Sequence, residues 1–132
     1  MRAKMGMLLG LSIALLSSVA VAGDAVGGGT WDSRNVGSPT VVGFVDVSGG
    51  VLSYTDNTAN DDPAANPDQD STWWWSNGYY YNSQDPLNAT WRVAFLEIKN
   101  IDHQVIGYAW TVYQLVNGQW VSDHSGSLSP HS

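Results

Sequence analysis

The chain has 132 residues, a formal net charge of −7, 43% apolar residues, 11% aromatics and no cysteine. Charged residues make up 13%, half the share of about 25% usual in globular domains, and the apolar content is too high for a disordered tail. Lys and Arg total 5, too few for the clustered positive charge of a nucleic-acid groove, and the length holds one small domain.

The first 22 residues read as an address. Arg2 and Lys4 precede the apolar run Met7-Leu8-Leu9-Gly10-Leu11-Ser12-Ile13-Ala14-Leu15-Leu16, and small residues lead to Ala20-Val21-Ala22. A basic start, a short apolar stretch and an A-x-A site make a secretory signal peptide. The run falls short of the ~20 residues that cross a bilayer, and no cysteine stands at the cleavage point for lipid attachment. Cleavage after Ala22 takes 22 of the 132 residues and leaves 110, starting at Gly23. Arg34, Arg92 and Lys99 then face 12 acids, a net charge of −9. The expected product is exported, extracellular or periplasmic according to the host envelope, with no stable membrane insertion after cleavage. Without cystine staples, its core alone must hold it.

The remaining chain, 23–132, predicts a single all-β domain, a small antiparallel sandwich or barrel of about seven strands. Residues 40–47 and 51–56 form a hairpin about Ser48-Gly49-Gly50. Residues 57–71 lack periodicity and form an acidic loop. Trp73-Trp74-Trp75-Ser76 and Tyr79-Tyr80-Tyr81-Asn82 flank Asn77-Gly78, and residues 108–116 and 119–125 flank Asn117-Gly118. An Asn-Gly pair supplies the two positive-φ residues of a type I′ turn, whose twist matches its strands. Between these hairpins, 91–99 alternates with apolar residues on both faces, which predicts a doubly covered strand.

The acidic loop concentrates oxygen ligands. Asp61, Asp62, Asn66, Asp68 and Asp70 make a candidate calcium site, since hard cations take carboxylate and amide oxygens. Ser71 stands where a calcium loop turns on glycine, and Asn77 where a closing Glu belongs, so a solvated loop of Asx turns is the alternative.

Catalysis is hard to assemble, and no enzyme is expected. Ser122, Asp123, His124 and Ser125 are consecutive, but strand neighbours point to opposite faces, so Asp123 is not expected to orient His124. Glu97 is the only Glu, and His103, His124 and His131 have no metal-ligand spacing.

All 15 aromatic residues lie after residue 22. In the Asn77-Gly78 hairpin, Trp73, Trp75 and Tyr80 share one face and are assigned to the core. Trp74, Tyr79 and Tyr81, beside Ser76, share the other and make a candidate ligand platform. Its partner would be carbohydrate or another cell-surface component, because flat rings stack on sugars; the oligomeric state is left open. The alternative is that all these rings are core.

Val26-Gly27-Gly28-Gly29-Thr30-Trp31 resembles the start of the mature lactococcin 972-type bacteriocins, small secreted β-sandwich proteins of Gram-positive bacteria. The resemblance implies an antibacterial protein acting on cell-wall assembly. Asp32-Ser33 replaces the Tyr-Gly pair of that family. A third class is a structural or matrix subunit whose aromatic hairpin joins neighbouring copies.

Overall fold

Three two-residue turns organise the molecule. Gly49-Gly50, Asn77-Gly78 and Asn117-Gly118 all have positive φ, between 48° and 98°, as a type I′ turn requires. They join β2 (Val41–Ser48) to β3 (Val51–Asp56), β4 (Ser71–Ser76) to β5 (Tyr79–Tyr81), and β7 (Val105–Val116) to β8 (Gln119–Pro130). With β1 (Thr30–Asn35) and β6 (Trp91–Lys99), these strands form a closed antiparallel barrel in which every strand pairs with its sequence neighbours. The computed structural model describes residues 22–60 and 70–132. Residues 1–21 of the expected leader lie outside these. Among the described residues no helix is long and apolar enough to cross a membrane.

Of the two expected architectures, the chain adopts the barrel, with eight strands. The additional strand is β1, Thr-Trp-Asp-Ser-Arg-Asn, which lacks apolar alternation. It closes the barrel by pairing with β2 on one side and β8 on the other, with Ser33 opposite both Gly43 and Leu128. That second pairing extends β8 to Pro130. Asp32 is buried on the outward side of β1, where its Oδ1 lies 2.6 Å from His131 Nδ1.

Inward positions of every strand build one core. Val45, Leu52, Tyr80, Val93, Phe95, Tyr108, Trp110 and Leu128 cluster with Val26, and Trp73 and Trp75 pack against them. The expected double covering of β6 holds only at Ala94. Its inward Val93 and Phe95 are buried and outward Ala94 is 5% exposed, but Leu96 and Ile98 on the same outer face are 50% and 42% exposed. A closed barrel has one interior, so the outer face of a strand stays wet unless something lies on it.

The segment before β1 plugs one end. Gly23 N–H donates to Gly78 O (2.9 Å) and Asp24 N–H to Phe95 O (2.7 Å), filling the ladder where short β5 has ended. The chain then crosses the barrel end. Val26 N–H donates to the Tyr80 hydroxyl (3.0 Å) and Gly27 N–H to the Tyr108 hydroxyl (2.8 Å). Trp31 returns its indole N–H to Gly27 O (3.0 Å) and meets the Tyr108 ring edge-on. The six residues 26–31 thus form a structural plug.

Candidate ligand-binding site

With one end plugged, the interior opens toward the other. A cavity of about 800 Å³ runs down the barrel, and all eight strands or the residues beside them line it. Its deep part is apolar: Val45, Leu52, Val93, Phe95 and Leu128, with Trp110 on the wall. Its outer part carries Trp73, Trp91 and Tyr54 among the polar groups of Asn35, Ser71, Asn82 and His124. Eight strands give an interior that is either filled by side chains or wide enough for one small ligand. Here glycines widen it. A Cβ on Gly43 would lie 2.3 Å from Tyr54 Cζ, and one on Gly126 would lie 2.3 Å from Trp110 Cζ2. Each ring lies flat along the wall because its neighbour has no side chain.

The polar groups divide into satisfied and unsatisfied. Trp73 donates its indole N–H to Ser71 Oγ (2.9 Å). Asn82 Oδ1 accepts from the backbone N–H of Thr90 and of Trp91, closing the loop between β5 and β6. Trp110 Nε1, in a side chain only 7% exposed, has no acceptor among the described residues. A buried indole N–H without a partner costs about 1–3 kcal/mol relative to a bonded one.

His124 corrects one expectation. Its Nδ1 lies 2.6 Å from Asp123 Oδ2, although adjacent strand residues ordinarily face apart. The register between β7 and β8 shifts between Val112 and Tyr113, which pair with His124 and Ser122. Asp123 is the extra residue of this bulge, and the kink turns its carboxylate beside the imidazole. The His124 ring also meets Trp110 edge-on at 5.5 Å.

The hairpin places its two faces on opposite sides of the wall. Tyr80 is 1% exposed and Trp73 and Trp75 pack against the core. Trp74 pairs with Tyr81 and Ser76 with Tyr79, putting all four candidate ligand residues on the outer face. That face also gathers residues the sequence did not single out. Arg92 extends its guanidinium over the Tyr79 ring at 3.7 Å and the Trp120 ring at 4.5 Å, with Tyr81 and Tyr113 within about 6 Å. Alternation along β6 places Arg92 outward, but its neighbours come from three other strands, a pairing visible only once the barrel closes.

Of the candidate calcium ligands, Asp61, Asp62, Asn66 and Asp68 lie outside the described residues. Asp70 Oδ1 accepts the Asp56 N–H (3.0 Å), tying the end of β3 to the start of β4. Among the described residues no group of three or more His, Asp or Glu side chains gathers as a metal site.

Fold and site together define a class: an eight-stranded antiparallel barrel with a plugged end, an aromatic-lined interior and a second aromatic cluster outside. Comparison with protein-family models, with curated proteins and with solved structures returned no match.

Proposed function

We propose that this is a non-catalytic binding protein, exported by its 1–22 leader, that holds one small ring-bearing molecule inside the barrel. The observation that carries this reading is the cavity of about 800 Å³, within the range of about 300–1,000 Å³ usual for small-molecule sites. Its make-up fits the same role, an apolar interior with a few convergent polar groups at one end. Among the described residues, the titratable side chains on the lining are Tyr54 and His124, an arrangement suited to holding a molecule rather than to passing protons across it. Strands β3, β4 and β5, of 6, 6 and 3 residues, are short of the roughly 9–11 residues with which a strand crosses a bilayer, which favours an aqueous role.

The test uses prodan, a neutral naphthyl ketone whose emission reports an apolar site. Wild-type protein should bind it saturably with a blue shift. Val112→Trp, which fills the cavity from its wall, should remove the signal, and Trp74→Ala on the outer face should leave it. Prodan binding that survives Val112→Trp and fails with Trp74→Ala would overturn the reading.

That second outcome belongs to an alternative favoured by the outer cluster. Trp74, Ser76, Tyr79 and Tyr81 beside Arg92 offer rings and donors suited to carbohydrate or a cell-surface component. Arg92 already covers a face of Tyr79 at 3.7 Å, which places this reading second.

A further inference from the structure

The polarity of the lining sets the chemistry of the ligand, given that the barrel interior is the binding site. We propose that the cavity takes an uncharged ring molecule bearing a hydroxyl or carbonyl group, and that this group hydrogen-bonds to the Ser33 hydroxyl on the β1 wall.

Charge is restricted first. Among the described residues, no Asp, Glu, Lys or Arg lines the cavity. The imidazole at its mouth, His124, is engaged with Asp123 at 2.6 Å. An ion of either sign would lose its water without gaining a counter-charge, which is costly in an apolar site. The net charge of −7 further opposes the approach of an anion.

Ser33 is the polar side chain that a ligand must answer. It points inward on β1, opposite Gly43 of β2 and Leu128 of β8, and is 4% exposed. Its hydroxyl has no hydrogen-bond partner among the described residues. Unlike the Trp110 indole nitrogen, the Ser33 Oγ is not sealed off by its neighbours, so the cavity reaches it. Most other polar groups of the lining are already served. Tyr54 donates to Val42 O (3.1 Å), Trp73 donates to Ser71 Oγ (2.9 Å), and Asn82 Oδ1 accepts from the backbone. Asn35, next inward on β1, lies exposed at the mouth, where water serves it. A ligand that fills the space beside Ser33 displaces water from a hydroxyl, and must return a hydrogen bond or strand it.

The surroundings limit the rest of the molecule. Beside and below Ser33, Val45, Leu52, Phe95 and Leu128 offer no hydrogen bonds, so a sugar would strand most of its hydroxyls. Tyr54 lies over Gly43, the partner of Ser33, and Trp110 over Gly126, the partner of Asn35. Each ring thus reaches toward β1 across a glycine of the strand between. A ring molecule along this wall meets an aromatic side chain on either flank, a contact that rings favour.

The experiment compares four competitors of prodan that share a naphthalene ring: 2-naphthol, with a neutral hydroxyl; naphthalene, with no polar group; anionic 2-naphthoate; and cationic naphthylmethylamine. In the wild-type protein naphthol should bind roughly fivefold tighter than naphthalene, and both ions roughly tenfold weaker than naphthol or worse. Ser33→Ala should reduce naphthol to the affinity of naphthalene and leave naphthalene unchanged. Because the hydroxyl makes no bond within the protein, the same variant should melt no lower than wild type. Equal wild-type affinity for naphthol and naphthalene, or tightest binding of either ion, overturns the assignment of ligand class while prodan binding keeps the cavity reading. A Ser33→Ala protein that weakens naphthol and naphthalene alike, or that fails to fold, overturns the role of the hydroxyl. Failure of prodan and all four competitors to bind the wild-type protein overturns both the inference and the cavity reading.

Discussion

Substituting Gly126 tests the closing seam of the barrel and the wall of its cavity together. An alanine Cβ there would lie 2.0 Å from Arg34 O and 2.3 Å from Trp110 Cζ2. Ordinary contact begins near 3.4 Å, so the carbonyl must retreat by about 1.4 Å or the Trp110 ring must leave the wall. Arg34 O is backbone of β1, in the stretch where Arg34 pairs with Ser127 and Asn35 with Gly126. Overpacking costs about 1–3 kcal/mol, and loosening a buried backbone hydrogen bond adds about 1 kcal/mol or more. A total near 3 kcal/mol should lower the melting temperature by about 10 °C or more, since 1 kcal/mol is worth roughly 4–8 °C in a domain near this size. Gly28→Ala is the control, because nothing lies within 4 Å of its added Cβ. Urea unfolding followed by tryptophan fluorescence measures both. If Gly126→Ala matches Gly28→Ala in stability, then β8 does not press on β1 and Trp110 as described.

Trp75→Ala should cost about 3 kcal/mol or more by leaving a hole against Tyr80, whose ring centroid is 4.9 Å away. Trp74→Ala on the outer face should cost less than half as much, and a reversed order in urea unfolding would put the faces the other way round. Val26→Asp places an unpaired charge in the plugged end and should destabilise by several kcal/mol, read from the same unfolding curves; a small change would mean the segment is not part of the core. Burial pushes the Tyr80 hydroxyl above its usual value, against the opposing effect of its bond from Val26 N–H. Folding therefore favours the protonated phenol. This contribution is complete below about pH 10 and is lost as pH rises through the higher folded value. Stability titrated between about pH 8 and 11 should fall at the alkaline end, and Tyr80→Phe should flatten part of that fall; an unchanged slope would contradict the burial.

Much of the barrel was legible because local chemistry fixed it. The two Asn-Gly turns and the Gly49-Gly50 turn announce their hairpins, since few other residues tolerate positive φ. Strand β1 was hidden for the opposite reason. Its inward Ser33 and Asn35 line a cavity rather than a dry core, so apolar alternation is missing where it would normally mark a strand. The tail after Ser125 likewise reads as polar, and becomes strand by pairing with β7 as far as Leu128 and with β1 as far as Pro130. Alternation sorted the Trp and Tyr residues of the hairpin into two faces, yet the Arg92 cluster depends on neighbours 11 to 28 residues distant in sequence, Tyr81 and Trp120 among them. The His124–Asp123 contact was invisible because a bulge is a property of two strands in register. Trp110 could not be distinguished from the other six tryptophans by sequence, because its place on the cavity wall depends on Gly126 of the facing strand.

The most direct measurement is a two-dimensional ¹⁵N–¹H spectrum of the tryptophan indole N–H groups during titration with prodan. Binding inside the barrel predicts that the resonances of Trp73, Trp91 and Trp110 move together and saturate, while those of Trp74 and Trp120 on the outer face stay in place. Movement of Trp74 and Trp120 with Trp110 unmoved would contradict the account and locate the site on the outer aromatic face.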